Sequence, residues 1–292
     1  SILFMIVIVL LTLEYLGRRS RKFHEKYSGA SYTPTQTVSG VKNSLLFLIC
    51  LIPLSLGFII PVSILLNFVI KGYSIINFIE IFQITLSSIS LAFISSSFIM
   101  LLSLLMIIVG AYKSNNFQKI LIFFASSGYA FPGTILAVGI VVFVGWLNDL
   151  IYFRMSYAVG GFIILLFAYS IRFLAVGNGA ITSGISRIHP NLLDASRTMG
   201  VSFFKSIRKI ILPLLYTNLL VGGILVFVDI LKELPITLLL RPFNFETLAT
   251  YVYQYASDEM LEESAFAALI IVIAGLGPVI FLNRTITKSI KN

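Results

Sequence analysis

The sequence predicts an all-α polytopic membrane protein, built as a six-helix bundle preceded by part of a further transmembrane helix. Hydrophobic residues make up 58% of the 292 residues and charged residues only 11%, whereas a soluble domain has about a quarter charged residues. Six apolar stretches are each long enough to cross the hydrocarbon core, which takes about 20 helical residues. They lie at roughly 44–70, 82–112, 119–146, 155–176, 213–231 and 264–283.

Two further segments precede these spans. We interpret Ser1–Leu16 as the end of a membrane helix, because it is apolar throughout most of its length. Basic residues follow this run rather than precede it, which argues against a signal peptide. Segment 17–43 carries six Lys and Arg residues, and we interpret it as a basic cytoplasmic linker. Residues 44–292 then form the six-helix domain.

The distribution of basic residues predicts the orientation in the membrane. Of the 21 Lys and Arg residues, 17 lie in loops 17–43, 113–119, 172–212 and 284–292, and the others are Lys71, Arg154, Lys232 and Arg241. The positive-inside rule makes the first set of loops cytoplasmic, together with the C-terminus. The net charge of +9 therefore reports topology, and no nucleic-acid partner is needed. We interpret Arg172 as an anchor at the cytoplasmic end of the fourth span.

Prolines and serines within the spans have structural interpretations. Pro53, Pro61 and Pro132 are expected to kink helices, which a membrane bundle tolerates. Several serines lie in the second span, at Ser87, Ser88, Ser90, Ser95, Ser96 and Ser97. They could line a polar path, but small residues mainly let membrane helices pack closely, and we favour that interpretation.

The loop before the fifth span has a spaced pattern. Residues 191–213 read NLLDASRTMGVSFFKSIRKIILP. Pro190 suits the first turn of a helix, and Gly200 suits the left-handed residue that ends one. The predicted short helix has one largely apolar face, formed by Leu192, Leu193, Ser196 and Met199. It would serve either as a docking element for a partner or as a helix lying on the lipid surface.

This pattern resembles the EAA loop of ABC-transporter permeases, E-A-A-x3-G-x9-I-x-L-P, with Asp in place of Glu and Ser in place of the second Ala. The resemblance implies a type I importer permease whose coupling loop, at about 178–212, docks in a cleft of a cytoplasmic ABC ATPase dimer. The residues that it assigns to coupling are Asp194, Ala195, Ser196, Gly200, Ile210, Leu212 and Pro213.

Three other stretches resemble the ferric-iron branch of these permeases: YAFPGTILAVGI (129–140), AYSIRFLAVG (168–177) and KELPITLLLRPFNFETLATYVYQYASDE (232–259). The resemblance implies ATP-driven import of ferric iron by alternating access across the bacterial inner (cytoplasmic) membrane, with an external, periplasmic binding protein delivering the substrate. Thiamine, phosphonate, polyamine and sulfate, the substrates of related branches, are the alternatives. Members of the ferric branch are fused two-half permeases, so this chain is expected to be the C-terminal half, with a homologous first half in the same full-length chain.

One cluster of charges stands at the end of the fifth span. Asp229, Lys232 and Glu233 are spaced so that they can share a helix face, and ionisable groups at such depth are costly. They form either a stabilising ion pair or a lining or gate at the outer end of the substrate path. In a different class of protein, an ion-coupled secondary transporter, they would be the ion-coupling site.

The sequence contains no GxxxxGK[ST] motif, so ATP and Mg are expected on the partner ATPase and not on this chain. No nucleophile–base set or metal-ligand spacing stands out in the spans. We therefore expect neither an enzyme active site nor a bound metal or cofactor. Tyr251, Tyr253 and Tyr255 could ligate iron in principle, but anchoring at the membrane interface is the favoured interpretation. The expected partners are the ATPase dimer, the binding protein, the first permease half and membrane lipid.

Overall fold

The computed structural model describes residues 40–112, 116–151, 157–189 and 191–291. Every regular element within these ranges is a helix, which agrees with the all-α prediction. The predicted partial helix Ser1–Leu16 and nearly all of the basic segment 17–43 lie outside the described residues.

The helices follow one another along the chain with short connections. They are α1 (Val41–Leu54), α2 (Ile60–Lys71), α3 (Phe78–Tyr112), α4 (Asn116–Ser126), α5 (Gly133–Ile151), α6 (Tyr157–Ile185), α7 (Asn191–Thr198), α8 (Phe203–Ser206), α9 (Leu212–Leu231), α10 (Pro235–Leu240), α11 (Leu248–Ser257) and α12 (Leu261–Lys291). The π turns Ser55–Ile59 and Ile207–Ile211 join α1 to α2 and α8 to α9, and the 3₁₀ turn Ser127–Ala130 follows α4.

Five helical segments in the described ranges are long and apolar enough to cross a membrane. They are Lys42–Lys71, Phe78–Gly110, Gly161–Ile185, Phe203–Leu231 and Leu261–Arg284, and they overlap five of the six predicted spans. The predicted fourth span, 155–176, ended too early. Because α6 continues to Ile185, Arg172 lies in the middle of this helix, and its interpretation as a cytoplasmic-end anchor was wrong.

The third predicted span, 119–146, is a bent pair of helices. Segments Ile120–Ala130 and Gly133–Leu147 meet at an angle of 117°, so the described residues contain six candidate spans only if this pair is counted as one. Pro132 lies at the break, as predicted. Proline disfavours a helical conformation in the residue before it, and Phe131 is accordingly extended, with φ −81° and ψ 136°.

Two other prolines follow the π turns. The turn Ser55–Ile59 ends two residues before Pro61, and the turn Ile207–Ile211 ends two residues before Pro213. A proline removes one backbone donor and crowds the carbonyl one turn earlier. The wider π turn relieves that crowding while the helix continues.

Packing contacts divide the chain after Asn67. In the described part of the first unit, residues 40–67, every side chain with a described exposure is exposed or half-buried. These residues are largely apolar, as expected of a helix in contact with lipid.

The core of the second unit lies where α3, α6 and α9 pack against one another. Its fully buried members include Ile99, Leu165, Ile181, Leu215 and Val226. A second cluster joins the start of α3 to α11 and α12 around Ile81, Leu248 and Tyr251.

Small residues allow the close approach of these helices. Gly177 of α6 lies against Ser103 of α3, and Gly184 of α6 lies against Leu215 and Asn218 of α9. The Asn218 Nδ2 atom also donates a hydrogen bond of 3.2 Å to the backbone oxygen of Ala180. Of the six serines of α3 for which we favoured close packing, Ser88, Ser95 and Ser96 are buried, whereas Ser90 and Ser97 are exposed.

The 3₁₀ turn after α4 rests directly on α6, and this contact yields a prediction. A Cβ atom at Gly128 would overlap the backbone carbonyl of Ile171, whereas a Cβ atom at Gly139 of α5 would meet nothing within 4 Å. We expect Gly128→Ala to destabilise the protein by about 1–3 kcal/mol through overpacking. Thermal unfolding of the purified protein in detergent should show a lower Tm for Gly128→Ala and an unchanged Tm for the control Gly139→Ala. Equal Tm values for the two variants would contradict the packing.

Candidate functional site

The loop between α6 and α9 has the helix–turn–helix shape that the sequence predicts. Helix α7 ends at Thr198, and Gly200 follows with a φ angle of 77°. The Val201 N–H donates to the Ser196 carbonyl over 3.0 Å, which is the 6→1 bond of a Schellman motif. The predicted left-handed glycine after the helix is therefore confirmed.

Ser196 connects the two helices of this loop. Its Oγ lies 2.7 Å from the Oγ of Ser206 on α8, and the two residues are 2% and 0% exposed. Ser196 is therefore buried against α8, whereas Leu192 and Met199, which share its helix face by spacing, are exposed. Ser196 is thus not part of an exposed apolar surface, because its hydroxyl has a buried partner.

The exposed side chains of the loop include several apolar ones, beside polar and basic ones such as Thr198, Lys205 and Arg208. Met199 is 77% exposed and Phe204 is 83% exposed, and Leu192 and Ala195 are also exposed. The side chains of Asp194 and Leu193, and the whole of Pro190, lie outside the described residues.

The Ile210-x-Leu212-Pro213 part of the pattern lies where the loop enters α9. Ile210 and Leu212 are half-buried and Pro213 is exposed in the first turn of α9. Ile211, the residue that the pattern leaves open, is fully buried in the core. The structure therefore places these residues where α9 begins, away from the exposed Met199 side.

A buried ion pair lies at the other end of α9. Arg172 Nε is 3.5 Å from Glu233 Oε2, and the Glu233 side chain is only 7% exposed. Arg172 stands 15 residues after Tyr157, the first residue of α6, which is about 22 Å along the helix. The pair therefore joins the middle of α6 to the segment after α9.

Glu233 also organises α10. Its Oε1 accepts a hydrogen bond of 3.2 Å from the Ile236 N–H, and its backbone oxygen accepts one of 2.6 Å from the Thr237 hydroxyl. The Tyr169 hydroxyl lies 2.6 Å from Thr237 Oγ1. Because the single Thr237 proton goes to the carbonyl, Tyr169 is the donor in that contact. Two side chains of α6, Tyr169 and Arg172, thus fix the position of α10.

The start of α5 approaches the same ion pair. A Cβ atom at Gly133 would collide with the Arg172 guanidinium and would lie 3.0 Å from Glu233 Oε1. A side chain at this position, directly after the bend at Pro132, would therefore displace the Arg172 guanidinium from the ion pair.

The three charged residues of the predicted cluster belong to two separate ion pairs, Asp229 with Lys232 and Glu233 with Arg172. Asp229 Oδ1 lies 2.9 Å from Lys232 Nζ, as their spacing predicts. Helix α9 ends at Leu231, so Glu233 is not on the helix face that these residues share and instead turns inward to Arg172. Asp229 is half-buried and Lys232 is 63% exposed, so this pair borders the accessible surface.

The three tyrosines of α11 do not share one environment. Tyr251 is buried and its ring packs 4.4 Å, centroid to centroid, from that of Tyr255, whereas Tyr253 is exposed. Burial raises the pKa of the Tyr251 hydroxyl, and its hydrogen bond with Tyr255 raises it further. Within the described ranges, no three His, Cys, Asp or Glu side chains come together as a metal site would require.

Known proteins resemble this chain in sequence and in fold. The family described as "Binding-protein-dependent transport system inner membrane component" matches residues 105–292. The Fe(3+)-transport system permease protein FbpB 2 of Haemophilus influenzae is 25% identical over 157 residues, which are 53% of this chain. The match spans only 29% of that relative's length.

Two solved structures share the fold. A bacterial ABC transporter involved in the import of the acidic polysaccharide alginate has a chain that superposes with a TM-score of 0.65 at 16% identity, covering 84% of this chain and 95% of the other. The MetNI methionine ABC transporter, in an inward-facing conformation, gives a TM-score of 0.50 at 14% identity, covering 70% and 95%. Identities this low support the fold alone.

The family match covers more than half of the chain, and it decides between the two classes of transporter that the charges had left open. The chain is a multi-pass membrane protein of a bacterial transport system and not an ion-coupled secondary transporter. It belongs to the family of binding-protein-dependent transport system inner membrane components and shares its fold with chains of ABC importers.

Proposed function

We propose that this chain forms the C-terminal permease half of an importer that carries ferric iron across the inner membrane. The observation that carries the proposal is the similarity to the Fe(3+)-transport permease of Haemophilus influenzae. The three stretches of the ferric branch in this sequence support the same substrate. In this proposal residues 44–292 are one six-helix half, residues 1–16 end the preceding half, and residues 17–43 link the two.

ATP hydrolysis takes place on a separate ATPase dimer that docks on the loop between α6 and α9, and an external binding protein delivers the iron. The exposed Leu192, Met199 and Phe204 form an apolar surface suited to a cleft on that partner. The basic residues of the loop and of the C-terminus place both in the cytoplasm by the positive-inside rule. ATP and Mg bind the partner, and this chain carries no cofactor.

The seven residues of the coupling pattern have different roles in this proposal. Asp194 and Ala195 belong to the docking helix, and Gly200 forms the turn. Ser196 lies inside the loop, and Ile210, Leu212 and Pro213 connect it to α9, so that movement of the docked loop tilts α9 and opens the bundle alternately to each side.

Asp229 and Lys232 line the outer end of the substrate path. Glu233 does not line the path, and its ion pair with Arg172 stabilises the structure next to it. This division follows from exposure, because Lys232 is largely exposed whereas Glu233 is buried against Arg172. A buried charge is retained where it is paired, and a polar pair at an accessible surface remains free to contact a passing substrate.

The substrate can be tested with the complete permease, its ATPase and its binding protein in proteoliposomes. We expect the ferric-loaded binding protein to stimulate both ATP hydrolysis and iron uptake, because only the correct loaded protein stabilises the outward-open state. The empty protein, and the protein offered thiamine, phosphonate, polyamine or sulfate, serve as controls. Stimulation by one of these ligands alone would replace iron as the substrate.

The turn at Gly200 can be tested by two substitutions. Because a Cβ atom there meets open space, the cost of a side chain comes only from the left-handed backbone. Valine is strongly disfavoured at positive φ, whereas asparagine tolerates it. We expect Gly200→Val to lower ATP-dependent uptake about ten-fold while membrane insertion is retained, and Gly200→Asn to stay close to wild type. Normal uptake by Gly200→Val would contradict the role of the turn in coupling.

The two ion pairs are expected to respond differently to neutralisation. Glu233→Gln leaves the Arg172 charge buried and uncompensated, which costs about 3–5 kcal/mol, so less folded protein should be recovered. The double variant Arg172→Leu/Glu233→Leu should regain much of that stability. Asp229→Asn leaves behind a Lys232 side chain that is 63% exposed and hydrated, and a pair with such an exposed partner is worth about 0–1 kcal/mol, so Tm should stay constant while iron uptake falls. Unchanged uptake by Asp229→Asn would remove that residue from the path.

A further inference from the structure

The hydrogen bond between Ser196 and Ser206 stands out in the loop. Met199 and Phe204, close to it in the sequence, are exposed. The hydroxyl groups of Ser196 and Ser206, in contrast, are almost completely buried and lie 2.7 Å apart. The pattern of the permease loops has alanine where this chain has Ser196. A hydroxyl at this position is therefore not required by the helix–turn–helix shape itself.

Ser196 takes part in two hydrogen bonds, one that closes the turn at Gly200 and one that reaches the helix after it. Its backbone oxygen accepts the bond from the Val201 N–H that closes the turn at Gly200, and its side chain reaches across to α8. The Ser206 hydroxyl also lies 3.2 Å from the Ser202 carbonyl. When Ser206 donates its proton to that carbonyl, Ser196 is the donor in the bond between the two hydroxyls.

Ser206 is in turn continuous with the core. The helix that begins with α8 runs through the π turn into α9, and Ile211 and Leu215 on this path are fully buried. We call this continuous helix the α8–α9 rod. The backbone connects α7 to the rod through the four residues from Met199 to Ser202. The side-chain bond thus adds a second connection between the exposed helix and the helix that enters the core.

We propose that Ser196 and Ser206 are positioning residues for energy coupling. Their hydrogen bond fixes the angle between α7 and the α8–α9 rod, so that a displacement of α7 tilts α9 instead of bending the chain at Gly200. The inference rests on the proposed function, in which α7 is moved by the ATPase. It concerns how much of that movement reaches the bundle.

A purely structural role makes a different prediction from a role in coupling. Removing either hydroxyl loses the bond between the two helices, but the Ser206 hydroxyl keeps the Ser202 carbonyl as an acceptor. Tm should therefore fall by only a few degrees in Ser196→Ala, in Ser206→Ala and in the double variant, and a purely structural role would leave coupling unchanged in each. The positioning role instead requires coupling to be low in all three, because each of them lacks the connection.

The experiment measures iron ions imported per ATP hydrolysed, using the complete transporter in proteoliposomes with the ferric-loaded binding protein. We expect this ratio to fall about five-fold in both single variants and in the double variant, while Tm stays within a few degrees of the wild-type value in all three. Ser63→Ala is the matched control, because Ser63 lies on α2, outside the loop, is exposed, and donates its hydroxyl to the Ile60 carbonyl of the same helical stretch. A wild-type ratio in all three loop variants would overturn the proposal.

A covalent replacement of the bond provides a second test. Ser196→Cys and Ser206→Cys are introduced together with Cys50→Ser, which removes the chain's single cysteine. Oxidation to the disulfide should restore the wild-type ratio, and reduction of the same sample should lower it about five-fold. Equal ratios before and after reduction would refute the positioning role. Failure of the proposed function is distinguishable, because the wild-type transporter itself would then show no ferric-stimulated ATP hydrolysis.

Discussion

The fold of the second unit depends on the buried pair of Arg172 and Glu233. A guanidinium placed halfway along an apolar helix is stable only with a counter-charge and further polar contacts. Glu233 provides the charge, and it can do so only if the chain turns inward directly after α9. The consequences extend to α10, whose Ile236 N–H donates to the same carboxylate, and to Gly133, where a side chain would displace the Arg172 guanidinium. One electrostatic requirement thereby positions the end of α9, the short helix α10 and the start of α5 around α6.

Features that depend on neighbouring residues were predictable from the sequence. The spans follow from apolar length, the bend at Pro132 from the restriction that proline imposes on the residue before it, and the left-handed Gly200 from the need to end α7. The bond between Asp229 and Lys232 follows from helical spacing alone. Each of these depends on one continuous stretch of the chain, and the structure contains all of them, although the fourth span continues to Ile185.

Features that depend on distant residues were not predictable. Arg172 looked like an anchor because its partner, Glu233, is 61 positions away, and Glu233 looked like part of a helix face because the end of α9 could not be located. The bond between Ser196 and Ser206 crosses only ten positions, but it depends on the angle between two helices that the turn sets. Residues in a permease loop pattern are therefore assigned to the partner surface or to the interior only once that angle is known.

The contacts along α6 and α9 explain how the loop and the ion pair belong to one mechanism. Near the loop the two helices are joined by Gly184 against Leu215 and by the Asn218 bond to Ala180, and at the far end by Arg172 and Glu233. Two helices packed this closely move together, because even a small gap between them would lose much of the van der Waals contact energy. In the proposed importer, a tilt of α9 imposed at the loop therefore carries α6 with it. Asp229 and Lys232, at the end of the same rod, then change their position relative to the opposite permease half.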